Sequence, residues 1–139
     1  MIDSRDVNLR AELRLDEGES ETPYVDTVGK TSIGVGRNLT DAGLSSAEID
    51  YLLGNDIDSA LRDCRRAFAW FPRLNDERQR VIVNMVFNMG LPRFRGFEKT
   101  IAAVESEDWI EAAVQMLDSK WSRQVGDRAT RLAQRMRTG

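Results

Sequence analysis

The chain has 139 residues, of which 41% are hydrophobic and 31% are charged, and its formal net charge is −3. This length and hydrophobic content are typical of one soluble globular domain and exclude a largely disordered chain. Histidine is absent and Cys64 is the only cysteine, which excludes Ser-His and Cys-His nucleophiles, histidine zinc sites and an intrachain disulfide. Acid–base chemistry near neutral pH must therefore come mainly from carboxylates.

The amino terminus has no apolar run that could serve as a signal peptide. No other stretch approaches the roughly 18 apolar residues that a membrane span needs. Together with the single cysteine, these features predict a protein that is made and kept in a reducing cytoplasm.

The charge is unevenly distributed along the chain. Residues 1–63 hold 14 acidic and 6 basic residues, a net charge of −8, whereas residues 64–139 hold 9 and 14, a net charge of +5. A basic half suits an enzyme that approaches an anionic polymer with one lobe. Ordinary surface solvation explains the asymmetry equally well, so the sequence leaves both interpretations open.

The first predicted element covers residues 7–15, in which apolar and other residues alternate. Alternation alone favours a strand. The strong helix formers in this segment, and the spacing of Leu9 and Leu13 four residues apart, favour a helix instead. Gly18 suits the position just past the end of such a helix.

A hairpin and a long helix are predicted next. Residues 23–37 are β-formers punctuated by glycines, which predicts a hairpin that turns near residues 28–30. Residues 45–48 read Ser-Ser-Ala-Glu, a capping box that opens a long amphipathic helix. Cys64 falls on the apolar face of this helix and is predicted to be a small core residue.

An aromatic break at residues 68–74 separates the long helix from the next one. Asn75 can cap that helix, which should run to about Met89. Shorter helices are predicted over three further segments: 96–106, 108–121 and 128–137.

Two carboxylates flank the glycine and proline break in the first forty residues. Residues 15–18 read Leu-Asp-Glu-Gly, with Glu17 at the predicted helix end, and Asp26 and Ser32 follow on the predicted hairpin. Cleavage of a glycosidic bond needs one carboxylic acid to protonate the leaving oxygen and one carboxylate on the opposite face of the sugar. A nearby hydroxyl can hold the attacking water. The competing interpretation is a solvated acidic helix end formed by residues 16–21.

The order of these segments resembles the T-even phage lysozymes, the muramidases of glycoside hydrolase family 24. In that family a helix ends in an Asp-Glu-Gly step, and a hairpin carries an Asp-Thr pair followed by a Thr-Ile-Gly-Ile-Gly strand. This chain has Asp-Glu-Gly at 16–18, Asp-Thr at 26–27 and Thr-Ser-Ile-Gly-Val-Gly at 31–36. Further similar segments extend the resemblance from about Leu9 to Gly139, at residues 82–90, 109–114, 120–121 and 127–129.

The resemblance implies an α+β, mostly α, lysozyme-like fold in a single domain, 1–139. It has a small β-hairpin lobe and a larger helical lobe joined by a long helix. The first segment is then a helix that belongs to the helical lobe and presents its acid at the edge of a cleft. The parts in chain order are the N-terminal helix (4–17), the hairpin lobe (about 18–44), the linking helix (about 45–66) and the rest of the helical lobe (about 67–139).

The resemblance also assigns the site residue by residue. Glu17 becomes the general acid, Asp26 the second carboxylate, and Ser32 takes the position of the family's water-holding threonine. Arg128 matches the arginine placed against the acid. A core role for Phe87 is an equal alternative to substrate contact, because its helix is otherwise apolar. No cofactor and no metal are implied, and the substrate-binding positions map onto Asn38, Phe87, Thr100 and Gln115.

One departure from the family lies between the hairpin and the long helix. Residues 37–44 alone join them, whereas the T-even relative has an additional short helix there. We therefore expect a thinner hairpin lobe with a more open cleft on that side. A histidine–aspartate pair of the relative corresponds by register to Arg37 and Asp56, which predicts an ion pair at these positions.

The resemblance implies an endolysin, a peptidoglycan hydrolase that cleaves the β-1,4 bond between N-acetylmuramic acid and N-acetylglucosamine with inversion and lyses the host cell. We expect a monomer that stays in the host cytoplasm until lysis, needs a membrane-permeabilising protein such as a holin, and then acts on peptidoglycan in the periplasm. One alternative is a catalytically inactive relative that acts as a wall- or partner-binding module. A nucleic-acid-binding helical module is disfavoured, because the chain as a whole is acidic and carries no helix-turn-helix signature.

The basic carboxyl-terminal segment, residues 128–137, reads as an amphipathic helix. Such helices can lie on anionic membranes. The favoured alternative is that Leu132 and Met136 pack on the helical lobe and that the arginines are solvated.

Overall fold

A computed structural model describes residues 1–139 as eight α-helices, a short 3-10 helix and one three-stranded antiparallel sheet. This composition confirms the expected α+β, mostly α class. By their internal contacts the residues form two compact units, Met1–Tyr51 and Leu52–Gly139. The elements in chain order are α1 Val7–Glu17, β1 Ser20–Val25, β2 Thr31–Gly34, β3 Arg37–Asn38, α2 Ser46–Ala67, the 3-10 helix Phe71–Arg73, α3 Asp76–Met89, α4 Leu91–Arg95, α5 Glu98–Glu105, α6 Trp109–Leu117, α7 Lys120–Val125 and α8 Asp127–Thr138.

Helix α1 confirms the helical interpretation of the first segment. The Asp6 carboxylate caps it by accepting the Leu9 amide at 2.9 Å, and Gly18 ends it with a φ of 77°. The contacts of α1 group it with the sheet in the first unit. Within this unit the Glu17 side chain lies against Gly36 of the β2–β3 turn.

The sheet has the order β1–β2–β3, with both pairs antiparallel. Its first turn falls where the glycine pattern predicts, because the Asp26 amide donates to the Lys30 carbonyl at 2.8 Å and Gly29 has a φ of 84°. The sequence predicted only a two-stranded hairpin. Strand β3 is two residues long, too short for an alternating pattern to reveal it.

The capping box of α2 is present as predicted. The Glu48 amide donates to the Ser45 hydroxyl at 3.2 Å, and the Ser45 amide donates to the Glu48 carboxylate at 2.8 Å. The same carboxylate pairs with the Arg37 guanidinium at 2.7 Å. The predicted ion pair between Arg37 and Asp56 was therefore wrong. The Arg37 side chain reaches the first turn of α2, whereas Asp56 lies in the third turn.

All buried hydrophobic residues lie between Ala60 and Met136, and they form one core cluster in the second unit. Helix α6 packs against both α5 and α8. Cys64 is fully buried, as predicted, and burial raises the pKa of its thiol to about 11. Trp121 is also buried and donates its indole N–H to Asn88 at 2.9 Å, whereas Trp109 is half-buried beneath the Arg78 guanidinium.

Helix boundaries in the second unit depart from the predicted ones. The predicted helix over residues 108–121 is two helices, α6 and α7. Ser119 separates them because its backbone is extended and its hydroxyl caps α7 by accepting the Ser122 amide at 3.0 Å. Helix α5 begins at Glu98 instead of 96, and the short helix α4 was not predicted.

The amphipathic helix α8 has its apolar side in the core. Leu132 and Met136 are buried, and so are the two alanines that share their face. The Arg78 guanidinium caps the end of this helix by donating to the Met136 carbonyl at 2.8 Å. No helix combines the length and the apolar character that crossing a bilayer requires.

The Arg37–Glu48 pair should make stability depend on pH in the acid range. The pair and the capping bonds lower the pKa of Glu48 from 4.5 to about 2. A carboxyl whose pKa is lowered on folding stabilises the protein above its unfolded pKa, and this contribution is lost as the pH falls towards the folded pKa. In Glu48→Gln, which keeps the capping acceptor, we expect a lower Tm at pH 7 and a gap that closes between about pH 4.5 and about pH 2.

Thermal unfolding of both proteins across this pH range measures the gap. Glu12→Gln, at an exposed position of α1, is the control and should follow the unmodified protein throughout. A gap that is the same at every pH would mean that the ion pair does not stabilise the protein.

Candidate active site

Asp26 is held at the β1–β2 turn by the backbone. Its Oδ1 accepts the amide of Val28 at 3.0 Å and the amide of Lys30 at 2.8 Å. Aspartate is favoured in such turns because its short side chain can reach backbone amides two to four residues ahead. One carboxylate oxygen therefore fixes the turn, while the other oxygen is left for chemistry.

The strand register places Ser32 and Asn38 on one face of the sheet, and Asp26 opens the turn that leads into β2. Ser32 is paired with Tyr24 on one side and with Asn38 on the other. Directly paired residues point to the same side of a sheet, and residues two apart along a strand do so as well. The hydroxyl and the amide therefore share one face, and Asp26 directly follows Val25, the last residue of β1. Ser32 is only 4% exposed, which limits the freedom of its side chain.

Asn38 is oriented by Asp41, a residue that sequence reasoning did not single out. The Asn38 amide nitrogen donates to Asp41 at 3.0 Å, and its amide oxygen accepts the Asp41 backbone N–H at 3.0 Å. Lys30 also donates to the Asp41 carboxylate at 3.3 Å. One N–H of the Asn38 amide is left for a ligand.

Glu17 is the last residue of α1, and its exposed side chain crosses the backbone of the β2–β3 turn. A Cβ atom on Gly36 would lie 3.2 Å from Oε2 of Glu17 and 3.7 Å from its Cδ. The first unit thus contains all three predicted catalytic residues: Glu17 beside the β2–β3 turn, Asp26 at the β1–β2 turn and Ser32 on β2.

In the second unit, a groove of about 560 Å³ contains two of the predicted residues, Phe87 and Arg128. Phe87 is 46% exposed, so its ring is not simply part of the core. Arg128 is half-buried and donates through Nε and a terminal nitrogen to the Asn84 side-chain oxygen, at 3.0 and 2.7 Å. Asn84 therefore fixes the guanidinium, a role that the sequence motif containing it did not reveal.

The other two predicted residues, Thr100 and Gln115, line a second cavity of about 420 Å³. Thr100 is 1% exposed, and the Gln115 amide nitrogen donates to the Glu111 carboxylate at 2.7 Å. The walls of this cavity carry both acidic and basic side chains, and Trp121 also lines it. The charged lining residues are Arg93, Glu98, Lys99, Asp118 and Lys120.

A family model for phage lysozyme matches residues 15–138, which is most of the chain. The protein belongs to the phage lysozyme family. Two relatives from Dictyostelium discoideum, probable T4-type lysozyme 2 and probable T4-type lysozyme 1, are each 26% identical over 161 residues, which cover 95% of this chain and 95% of each relative. The pre-baseplate central spike protein Gp5 of Enterobacteria phage T4 is 27% identical over 165 residues, 99% of this chain and 29% of the spike protein.

Family membership agrees with the fold, which is lysozyme-like, with a small antiparallel sheet and a larger set of helices. It makes the protein a glycoside hydrolase of the lysozyme type, a peptidoglycan hydrolase. The matched segment includes Glu17, Asp26 and Ser32 in chain order, so every residue of the candidate catalytic set falls inside the region that defines the family.

The role of Asp26 in the turn can be tested separately from its predicted catalytic role. An asparagine at this position retains the oxygen that accepts the Val28 and Lys30 amides, whereas an alanine removes it. We expect Asp26→Asn to keep the Tm of the unmodified protein, and Asp26→Ala to lower the free energy of unfolding by roughly 1–3 kcal/mol, the sum for two hydrogen bonds. Both variants should lose most of their activity on peptidoglycan.

Thermal and urea unfolding, combined with a turbidity assay on isolated peptidoglycan, distinguish the two roles. If Asp26→Asn were as unstable as Asp26→Ala, the turn would depend on the negative charge and not on the acceptor oxygen alone.

Proposed function

We propose that the protein is an inverting muramidase that cleaves the β-1,4 bond between N-acetylmuramic acid and N-acetylglucosamine and so lyses the host cell. The observation that carries this proposal is the arrangement of the first unit. There a glutamate at a helix end lies against a glycine of a turn, and an aspartate fixed by two amides opens the turn into the strand that carries a buried hydroxyl. Two carboxylates and a water-binding group are what glycosidic hydrolysis requires.

Glu17 is the general acid in this proposal. It transfers its proton to the glycosidic oxygen as the bond to the anomeric carbon breaks, so the leaving sugar departs as a neutral alcohol. Its position at the end of α1 exposes the carboxyl group, and the backbone of Gly36 limits where the carboxyl can go.

Asp26 and Ser32 hold and activate the water molecule that is the nucleophile. A water molecule donates one hydrogen to the free carboxylate oxygen of Asp26 and a hydrogen bond links it to the Ser32 hydroxyl. As the water oxygen bonds to the anomeric carbon, Asp26 takes its proton, and the configuration at that carbon is inverted. Such a water requires a carboxyl separation of roughly 6.5–9.5 Å.

The second unit contributes substrate contacts in this proposal. The exposed Phe87 ring offers an apolar surface to a sugar or peptide in the larger groove. Gln115 has its amide nitrogen fixed by Glu111, so its oxygen can accept an N–H from an acetamido or peptide group. Thr100 lines the cavity of about 420 Å³ together with Gln115 and is proposed to add a hydroxyl there. Asn38, in the first unit, contributes the N–H of its amide that Asp41 does not use. Arg128, whose guanidinium is fixed by Asn84, takes the position of the family's arginine, as the resemblance implies.

In the host, the proposal assigns the protein to the cytoplasm until the end of infection. A separate membrane-permeabilising protein, such as a holin, then admits it to the periplasm, where it acts as a monomer on peptidoglycan. The alternative is an inactive relative that only binds the wall, and it would sediment with peptidoglycan without lowering its turbidity.

Replacement of Glu17 by glutamine tests the assignment of the acid. Glutamine retains the shape of the side chain and removes the proton that is transferred, so the rate of lysis should fall by about 10²–10⁴-fold. The turbidity of permeabilised Gram-negative cells measures the rate, and circular dichroism verifies the fold. Glu12→Gln, on the same helix, is the matched control and should lyse cells normally. A Glu17→Gln protein with near-normal activity would refute the assignment.

The stereochemistry of the product tests inversion separately. Hydrolysis of the β-linkage with inversion releases the α-anomer at the new reducing end, whereas a covalent intermediate would release the β-anomer. Proton NMR of the first products, recorded before mutarotation, distinguishes them. Release of the β-anomer would leave Glu17 as the acid but would make Asp26 a nucleophile.

A further inference from the structure

Glu17 and Gly36 form a contact that a side chain at position 36 would disrupt. Gly36 has a φ of 70°, and a Cβ atom there would lie 3.2 Å from the Glu17 carboxylate oxygen Oε2. The same Cβ would be 3.7 Å from both Cβ and Cδ of Glu17, so the glutamate side chain lies along the glycine over most of its length. A separation of 3.2 Å is tighter than ordinary van der Waals contact, and one of the two groups would have to move.

The β2–β3 turn is the less mobile of the two partners. Ile33 pairs with Arg37 across the turn, and the Arg37 guanidinium donates to the Gly43 carbonyl at 3.1 Å and to Glu48 at 2.8 Å. The Glu17 carboxyl, by contrast, is the free end of a flexible side chain on the surface. A methyl group at position 36 would therefore displace the carboxyl group and leave the turn in place.

We propose that Gly36 is a positioning residue for the general acid: the absence of a side chain there gives the Glu17 carboxyl group the place from which it protonates the glycosidic oxygen. This inference rests on the proposed function of Glu17. Its catalytic consequence follows from the geometry of proton transfer, because a misplacement of a catalytic group by about 1 Å can cost about 10²-fold in rate.

Gly34, the last residue of β2, provides a matched control two residues before Gly36. It has a φ of 66°, close to that of Gly36, but a Cβ atom at Gly34 would meet nothing within 4 Å. Alanine at either position strains the left-handed backbone to a similar degree. The two variants should therefore show similar losses of Tm, and a difference between them in any other property reports the contact with Glu17.

The experiment compares Gly36→Ala and Gly34→Ala by kinetics and by NMR. A Cβ atom at 3.2 Å requires the carboxyl group to give by a few tenths of an ångström. For Gly36→Ala we therefore expect kcat to fall by roughly 3- to 10-fold with KM nearly unchanged, and for Gly34→Ala we expect both constants to stay within about 2-fold of the unmodified protein. In protein labelled with ¹³C at the glutamate carboxyl carbon, the Glu17 signal, assigned by its absence from Glu17→Gln, should shift in Gly36→Ala and stay in place in Gly34→Ala.

Equal losses of kcat in the two variants would overturn the inference, because strain in the turn would then explain both. An unmoved Glu17 signal in Gly36→Ala, or a shifted signal with an unchanged kcat, would overturn it as well. Failure of the proposed function is a different result: a fully active Glu17→Gln protein would remove the catalytic role, while the ¹³C signals would still report whether Gly36 positions the carboxyl group.

Discussion

The register of the three-stranded sheet is the constraint on which the candidate site depends. Ser32 occupies the middle strand and is paired on both sides, with Tyr24 and with Asn38. Because side chains alternate along a strand, a slip of one residue between β1 and β2 would send Tyr24 and Ser32 to opposite faces and would shift the turn that Asp26 opens. The hydrogen bonds from the backbone to the Asp26 carboxylate fix the turn and so exclude this slip. The Asp26 carboxylate therefore helps to fix the strand register, and the turn fixes the position of this carboxylate.

The first unit achieves this order with almost no buried apolar surface. Ser32 is its one buried residue, and every buried hydrophobic residue belongs to the second unit. Local polar contacts take the place of a core: the capping box at Ser45, the pair between Arg37 and Glu48, and the bonds of Asp41 to its neighbours. Elements with few buried contacts open locally at low cost. The candidate catalytic residues thus lie in a unit whose geometry depends on hydrogen bonds, whereas the helices of the second unit are stabilised by packing.

Most elements could be predicted because their signals are local. The capping box at Ser45, the cap at Asn75 and the glycine turn at Gly29 each act within a few residues, and all three are present. The misplaced boundaries have a common cause. The α6–α7 break depends on the extended backbone of Ser119, and β3 forms only because β2 is beside it, and neither condition leaves a periodic pattern in the sequence.

By itself, the sequence determined which groups can do acid–base chemistry and which family the protein belongs to. The absence of histidine left carboxylates as the acid–base groups, and the order of Glu17, Asp26 and Ser32 with their flanking glycines is what the family match later covered. The tertiary structure decided which side chains and backbone groups contact each other. It directed Arg37 to Glu48 rather than to Asp56, and it laid Glu17 across a glycine nineteen positions later in the chain. Such contacts join residues distant in sequence, and their distances depend on how the elements pack, which local preferences do not specify.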